Sequence, residues 1–276
     1  MKEGLAQRCS FWASWWVGHA TARLRPSITR GLLLLLLLLS SPVTHAGEAA
    51  RETRVSGSAV SSLAPRELQW RKVPAQSVLL KDLKTGRVLY AYESTKRLSP
   101  ASLTKIMSAL VVLEKGNLEE YATVSRNAAA APRSHLGLRT GDVFRVKDLL
   151  KAMLIVSAND ACLAAVEHVG GDEAKFVRLM NAKAVDLGLT NTHFSNACGF
   201  DAPDHYSTAE DLAKLSEIAM QHPVFRKLVA EKRDLIFPIS GRRPYLLRNT
   251  NRLLGRVPGV EGVKTGFTSK AGRCLI

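Results

Sequence analysis

Apolar and polar positions follow different spacings along the chain from residue 74 onwards, and each spacing predicts its own kind of element. Two short apolar runs, at 77–80 and 87–92, flank a polar stretch that ends at Gly86, which predicts a β-hairpin with a glycine at positive φ. Apolar residues then recur at helical spacing over 102–115 and stop at Gly116. This second pattern predicts a helix that begins next to Ser102.

The middle of the chain is predicted to be helical and its end to return to strands. Asp172, and the capping-box pattern from Ser207 to Glu210, are signals for helix N-termini. A hairpin is predicted around Ser240 and Gly241. Strands at both ends of a helical middle predict an α+β fold in which distant strands share one antiparallel sheet. The predicted helices cover 146–156, 160–168, 172–188 and 207–221, and the second hairpin covers 235–248.

The first 46 residues have the pattern of a secretory signal peptide. Three arginines precede eight consecutive leucines at 32–39, and a small-residue site that ends at Ala46 follows. The leucine run is about half as long as a membrane-spanning helix requires. We therefore expect export with cleavage after Ala46, a linker over 47–73 that is rich in Ser, Ala and Arg, and one folded domain over 74–276.

Composition and cysteine usage exclude several classes of protein. With 46% hydrophobic and 23% charged residues, the chain is an ordinary globular protein. There is no HExxH motif and no histidine cluster, so neither a metal nor a cofactor is expected. Four cysteines are too sparse for a disulfide scaffold and show no paired CxxC spacing for zinc. The sequence cannot pair the three in the exported part, which we expect to be small buried side chains: Cys162, Cys198 and Cys274.

The net charge is +15, and it falls to +11 when the first 46 residues, with five basic side chains and one acidic one, are set aside. The remaining basic residues are scattered, with no run of five and no interleaved aromatic residues. A nucleic-acid partner is therefore not expected. An anionic envelope surface would attract such a protein non-specifically.

Ser102-Leu103-Thr104-Lys105 is the first of three motifs that carry candidate chemistry. On a helix, a spacing of three places the hydroxyl of Ser102 and the amine of Lys105 on one face. A serine hydroxyl is a poor nucleophile until a base accepts its proton, and a lysine desolvated among apolar neighbours is neutral enough to do so. The motif alone is weak evidence, because a chain of this size contains about one by chance.

Two further motifs lie at breaks between predicted elements, and each pattern also occurs a second time. Ser157-Ala158-Asn159 separates two apolar helices, and Lys264-Thr265-Gly266 follows an apolar run that predicts a late strand. The other copies are predicted to be structural, because 125–127 lies in a polar connection and 84–86 in the first hairpin turn. The ordered set SxxK, SxN and KTG is a strong signal, typical of penicillin-binding proteins and class A β-lactamases.

The chain resembles the low-molecular-mass penicillin-binding proteins of the D-alanyl-D-alanine carboxypeptidase type over residues 75–276. That resemblance implies a β-lactamase/transpeptidase-like α+β fold, with an antiparallel sheet flanked by helices and a mostly helical subdomain. It also implies further strands beyond Ile276, so that 74–276 would be a truncated catalytic domain. The resemblance extends beyond the three motifs, and the segments that carry it are 89–90, 98–107, 157–160, 191–194, 249–251 and 262–268.

The same resemblance implies the catalytic roles. Ser102 would be the acylated nucleophile, Lys105 its proton acceptor, and Ser157 the group that passes the proton to the leaving amine. The backbone amides of Ser102 and Phe267 would form the oxyanion hole. A second group would bind the substrate, with the terminal carboxylate assigned to the lysine and the threonine: Asn159, Lys264, Thr265, Gly266 and Phe267.

The implied activity is a serine-type carboxypeptidase that removes the terminal D-alanine from peptidoglycan stem peptides in the periplasm or cell envelope. β-Lactams would be covalent inhibitors, and peripheral membrane association would run through a C-terminal region beyond Ile276. A DD-endopeptidase remains an alternative, because it shares all three motifs. A β-lactamase is disfavoured because no Glu in the chain has Asn four residues later, and an inactive binding module is disfavoured because all the motif residues are present. The chain departs from the family pattern at 196–199, where Asn-Ala-Cys-Gly replaces Asn-Pro-His-Gly.

Overall fold

The computed structural model describes residues 74–239, 241 and 243–276. The predicted signal peptide and linker lie outside these residues. The elements, in chain order, are β1 (Val78–Lys81), β2 (Val88–Tyr92), a 3₁₀ turn (Ala101–Thr104), α1 (Lys105–Lys115), β3 (Tyr121–Thr123), α2 (Arg126–Ala129), β4 (Val143–Arg145), α3 (Val146–Ile155), α4 (Asn159–Gly170), α5 (Glu173–Asp186), α6 (Ala209–Gln221), α7 (Pro223–Ala230), β5 (Arg233–Ile236), β6 (Tyr245–Arg248), β7 (Thr265–Thr268) and β8 (Gly272–Leu275).

The core is formed by helices that are apolar on almost every face. In α1 every residue from Lys105 to Val112 is buried, because α3, α4, α5 and α6 all pack around this helix. The N-terminal two turns of α4 are buried in the same way. The 3₁₀ turn before α1 and the α3–α4 break are therefore both anchored in one packed helical core.

Helix ends mostly follow the predicted signals, with two corrections. Asp172 caps α5 by accepting a hydrogen bond from the amide of Lys175, as its position predicts. The N-cap of α6 is Thr208, one residue later than predicted, because the hydroxyl of Ser207 instead lies 2.8 Å from that of Thr192. Pro223 does not merely follow a helix but begins α7, where its missing N–H and fixed φ fit the first helical position.

The strands form hairpins and not the single sheet expected from the sequence. Both predicted hairpins, β1–β2 and β5–β6, are present, and β3–β4 and β7–β8 pair in the same antiparallel way. Among the described residues these are four separate two-stranded sheets. Each strand is three to five residues long and pairs with one strand that is its neighbour in sequence. The mixture of helices and antiparallel strands nevertheless confirms the α+β class.

Both duplicate motif copies have the structural roles predicted for them. Ser125 is the N-cap of α2 and accepts a hydrogen bond from the amide of Ala128. In the β1–β2 turn, the carboxylate of Asp82 accepts hydrogen bonds from the amide of Lys84 and the hydroxyl of Thr85, while Gly86 has a φ of 73°. These side chains therefore serve a helix cap and a turn.

Cys162 and Cys198 are buried, as expected from the sequence, whereas Cys274 is only half-buried. Cys162 on α4 and Cys198 in the loop before α6 form a disulfide bond, and Cys274 on β8 is free and half-buried. The sequence left this pairing open because the two residues are 36 positions apart. Within the described ranges, no helix is long and apolar enough to cross a membrane.

Candidate active site

The nucleophile candidate lies at the N-terminal end of the most buried helix. Ser102 is in the 3₁₀ turn and Lys105 is the first residue of α1, so three residues bring the Lys105 Nζ to 3.1 Å from the Ser102 Oγ. Ala101, directly before the serine, has a φ of 48°, a conformation that non-glycine residues rarely adopt. The SxxK spacing thus produces the serine–lysine pair that it predicts.

Lys105 is fully buried and has three oxygen partners. Its Nζ also lies 2.7 Å from the Oδ1 of Asn159 and 2.6 Å from the backbone carbonyl of Cys198. Burial, and then the charge of Lys264, hold the pKa of Lys105 well below its usual value. A neutral amine would donate its two N–H groups to Asn159 and Cys198, which leaves its lone pair for the hydroxyl proton of Ser102.

A second serine–lysine pair is formed by Ser157 and Lys264. Lys264 is also fully buried, and its Nζ donates to the Oγ of Ser157 at 2.8 Å and to the carbonyl of Thr265 at 2.8 Å. Burial lowers the pKa of Lys264 from 10.5 to about 7. Ser157 has a φ of 66° in the α3–α4 break, and this backbone turn lets α4 begin at Asn159.

Asn159 belongs to the site, but both ends of its amide are engaged by the protein. Its Oδ1 accepts from Lys105, and its Nδ2 donates to the carbonyls of Pro132 and Arg133. The neighbouring carboxylate of Asp160 accepts the amides of Leu136, Gly137 and Leu138 at about 3 Å. The first turn of α4 therefore holds the 132–138 loop beside the Ser102–Lys105 pair.

The KTG triplet lies at the start of β7, directly against the 3₁₀ turn. A Cβ at Gly266 would lie 3.1 Å from the amide nitrogen of Ser102 and 3.2 Å from the Cβ of Ala101, so a side chain there would push the strand and the 3₁₀ turn apart by a few tenths of an ångström. The Thr265 Oγ1 lies 2.6 Å from the Oγ1 of Thr250. Phe267, the next residue of β7, is 65% exposed.

The structure also adds residues that the motifs do not contain. The carboxylate of Asp201 accepts hydrogen bonds from the hydroxyls of Ser99 and Thr268, both at 2.8 Å. Ser99 precedes the 3₁₀ turn and Thr268 ends β7, so Asp201 joins the two segments on either side of the candidate oxyanion hole. The sequence around Asp201 gives no signal for these hydrogen bonds, because its two partners are 102 and 67 positions away.

His205 supports the SxxK turn from behind. Its Nε2 lies 2.9 Å from the Oγ1 of Thr104, and its Nδ1 accepts from the amide of Ser195 at 3.0 Å. Burial lowers the pKa of His205 from 6.5 to about 4, so the ring is neutral at pH 7. Because the ring is neutral and its Nδ1 accepts a hydrogen bond, its single N–H group is on Nε2. The Nε2 therefore donates a hydrogen bond to the hydroxyl of Thr104.

The arrangement of these groups is suited to acyl transfer to a serine. One buried amine contacts the nucleophile candidate, a second contacts a neighbouring hydroxyl, and a strand lies against the backbone amide of Ser102. Among the residues that the structure describes, no group of three or more His, Cys, Asp or Glu side chains has the geometry to hold a metal ion.

A sequence model of the D-alanyl-D-alanine carboxypeptidase family matches residues 62–276, and the chain therefore belongs to this family of serine peptidases with a penicillin-binding fold. It is 39% identical over 206 residues to the D-alanyl-D-alanine carboxypeptidase DacF of Bacillus subtilis, an alignment that covers 73% of this chain and 53% of the relative. It is 37% identical to DacC of Escherichia coli, with 77% and 55% covered. The chain thus spans about half the length of these curated relatives.

Solved structures agree with this assignment. A D-alanyl-D-alanine carboxypeptidase of Mycobacterium tuberculosis is 34% identical with a TM-score of 0.69, over 74% of this chain and 76% of that one. A mutant DD-transpeptidase of Streptomyces is 32% identical with a TM-score of 0.69, over 74% of this chain and 85% of that one. The fold is therefore that of the penicillin-binding DD-peptidases, as the sequence resemblance implied.

Proposed function

We propose that the chain is the catalytic part of a serine-type D-alanyl-D-alanine carboxypeptidase, which removes the terminal D-alanine from peptidoglycan stem peptides through an acyl-enzyme. The observation that carries this proposal is the pair of serine–lysine contacts, 3.1 Å for Ser102 and Lys105 and 2.8 Å for Ser157 and Lys264. Both amines are fully buried, where a lysine loses its proton most readily.

Acylation follows from the position of Lys105. Its neutral amine takes the proton of Ser102 as the Oγ bonds to the carbonyl carbon of the penultimate D-alanine. The amides of Ser102 and Phe267 stabilise the oxyanion that forms, and the close approach of β7 at Gly266 supports this assignment. The amide C–N bond then breaks, and the proton taken up by Lys105 is relayed through the hydroxyl of Ser157 to the nitrogen of the departing D-alanine, which leaves Lys105 neutral and Ser157 unchanged.

Substrate binding is assigned to β7 and to the first turn of α4. Lys264, in its charged form, attracts the terminal carboxylate, and the hydroxyl of Thr265, already oriented by Thr250, donates to it. Gly266 gives the strand its close approach to the nucleophile. Asn159 would hold the peptide chain of the substrate through its Nδ2, in place of one of the loop carbonyls that this group contacts, while its Oδ1 continues to position Lys105.

Deacylation uses the same groups in reverse. A water molecule takes the place of the departed D-alanine, gives a proton to Lys105 and attacks the acyl carbon. The bond between this carbon and the Ser102 Oγ then breaks, and Lys105 returns the proton to the Oγ, which restores the hydroxyl and releases the shortened peptide. A β-lactam would acylate Ser102 in the same way, because its strained amide presents a carbonyl beside a carboxylate. Its ring-opened leaving group stays attached and obstructs the water, so the acyl-enzyme should persist.

The same proposal places the protein outside the cytoplasm. Residues 1–46 would be removed as a signal peptide on export, 47–73 would be a linker, and 74–276 would belong to the catalytic domain that acts in the periplasm or cell envelope. The arginines before the leucine run and the small residues up to Ala46 support this. Such a protein would take part in cell-wall biogenesis.

Purified protein tests the proposed function through two products. Incubation with a synthetic pentapeptide ending in D-Ala-D-Ala should release free D-alanine, and fluorescent penicillin should label Ser102, located by peptide mass spectrometry. Ser102→Ala should lose both activities, while Ser125→Ala, in the SxN copy outside the site, should keep both. Full penicillin labelling of folded Ser102→Ala would refute the assignment of the nucleophile.

A second activity shares this acyl-enzyme and differs only in the acceptor. The Streptomyces neighbour is described as a DD-transpeptidase, in which an amine replaces water. Adding glycine or a D-amino acid to the pentapeptide assay separates the two, since a transpeptidase forms the exchanged peptide in preference to the hydrolysed one. Cross-linked dimeric muropeptides in the same assay test for DD-endopeptidase activity.

A further inference from the structure

We propose that the Cys162–Cys198 disulfide is a positioning device for Lys105, which holds the two oxygen acceptors of this amine at a fixed separation. This inference rests on the proposed function, because it concerns the base of the acylation step. Cys162 and Cys198 are almost completely buried, and neither has a role in the mechanism described above.

The two acceptors of Lys105 lie on different elements. Asn159, which accepts through its Oδ1, begins α4, and Cys162 lies three residues further along the same helix. The second acceptor is the backbone carbonyl of Cys198 itself, at 2.6 Å from the Nζ. The disulfide therefore closes a ring that runs from the amine through Asn159 and α4 to Cys162, across the S–S bond to Cys198, and back to the amine.

The loop that carries Cys198 is irregular, and beside this residue it is held to α1 and α5 by contacts of Ser108 and Glu173 with the backbone of Ala197. The side chain of Asn196 accepts the amides of Cys198, Gly199 and Phe200, which shapes the loop internally but does not attach it to α4. Attachment to α1 comes from Ser108, which donates to the carbonyl of Ala197 at 2.6 Å. Among the interactions described for this loop, the disulfide is the covalent link to the helix that carries Asn159.

The position of the loop matters for the base in a specific way. A neutral Lys105 directs its lone pair at Ser102 only while its two N–H groups have acceptors on the opposite side, which are Asn159 and the Cys198 carbonyl. If the loop moves away from α4, the amine loses one acceptor and can rotate away from the serine. Substrate contacts on β7 would not change, so the acylation step should suffer and not the initial binding.

Reduction of the bond should have the same effect as its removal. A dithiol reductant transfers two electrons and two protons to the disulfide, which yields the free thiols of Cys162 and Cys198 and the oxidised, cyclic form of the reductant. The two sulfurs can then separate, and the carbonyl of Cys198 is no longer tied to α4. Activity would in this way depend on an oxidising compartment, where disulfides persist.

The test separates acylation from binding. Stopped-flow labelling with a penicillin over a range of concentrations gives the acylation rate constant and the dissociation constant of the non-covalent complex. For Cys162→Ala, Cys198→Ala and the double variant, we expect the rate constant to fall about tenfold or more, as expected for a lost hydrogen bond to a charged or polar group in a buried site, while the dissociation constant changes less than about twofold. Cys274→Ala, which removes the free thiol, is the matched control.

Dithiothreitol gives a second, independent comparison. Reduction of the parent protein, confirmed by alkylation of both thiols in mass spectrometry, should lower its acylation rate to that of the double variant, and the double variant should not respond to the reductant. Unchanged acylation in a folded protein that lacks the bond would overturn the inference. So would a bond-free protein that is unfolded at every temperature, because the disulfide would then serve stability. A parent protein that is never labelled at Ser102 would refute the proposed function as well.

Discussion

Lys264 donates a hydrogen bond to Ser157 across 107 positions of sequence, and the 2.8 Å contact joins the α3–α4 break to the strand that carries the KTG motif. The amine has no carboxylate among its described partners, which are the hydroxyl of Ser157 and the carbonyl of Thr265. A fully buried lysine held by neutral groups keeps its proton only weakly. Its pKa of about 7 therefore lies within the range where the enzyme would work.

The first prediction is that activity falls at alkaline pH because Lys264 loses its proton. If the charged amine attracts the substrate carboxylate, kcat/KM for D-alanine release should decline as the pH rises through about 7. Lys264→Arg keeps its charge at all these pH values. The arginine variant should be slower, but without the decline between pH 7 and 9. An unchanged decline in this variant would assign the titration to another group.

The second prediction distinguishes the two KTG copies. Lys264→Ala should lower penicillin acylation about tenfold or more, which corresponds to a charge-assisted contact of about 1.5–3 kcal/mol. Lys84→Ala should leave acylation unchanged, because Lys84 contributes only its backbone amide to the β1–β2 turn. The measurement is the acylation rate of both variants at one penicillin concentration. A larger loss in Lys84→Ala would contradict the placement of the site.

The third prediction concerns Asp201 as a positioning residue. Asp201→Ala removes the acceptor shared by Ser99 and Thr268, so the 3₁₀ turn and β7 lose one connection across the candidate oxyanion hole. We expect the acylation rate to fall about tenfold, with partial recovery in Asp201→Asn, which retains one acceptor oxygen. Asp82→Ala, which removes a comparable acceptor from a hairpin turn, is the control and should acylate normally. Equal rates for Asp201→Ala and Asp201→Asn would contradict a role through hydrogen bonding.

The fourth prediction is a stability effect of the disulfide. The bond closes a loop across a sequence separation of 36, and the chain-entropy relation gives about 3–4 kcal/mol for such a loop. The free energy of unfolding of Cys162→Ala/Cys198→Ala, from urea titration monitored by circular dichroism, should be lower than that of the parent by this amount. Cys274→Ala should unfold close to the parent midpoint.

Local patterns predicted the elements that repeat over several turns. The core helices and the hairpins β1–β2 and β5–β6 were predicted because apolar periodicity and turn residues act within a few positions. The elements that were missed, β3, β4 and α2, are three or four residues long and contain too few repeats to show a period. Helix α7 was missed because Pro223 was interpreted as a terminator, although proline is equally suited to a first helical turn.

The candidate active site was predictable from its side chains and not from its backbone groups. The three motifs and the family resemblance identified the serines and lysines that the structure brings together. The carbonyl of Cys198 has no sequence signal, since every residue has a carbonyl. His205 and Asp201 were missed because their partners are remote in sequence. Strand pairing failed for the same reason, since alternation shows which face is buried and not which strand lies at the edge.

The positive φ angles of Ala101 and Ser157 have a consequence for how the protein fails. A non-glycine residue in this region costs about 1–2 kcal/mol, and the conformation persists only while the surrounding structure enforces it. Ala101 precedes Ser102 and Ser157 contacts Lys264, so we expect the candidate active site to relax first when the packing of α1, α3 and α4 weakens. On gradual heating, penicillin labelling should therefore vanish several degrees before the helical circular dichroism signal changes. Loss of labelling would then report the weakening of this fold at a lower temperature than loss of secondary structure does.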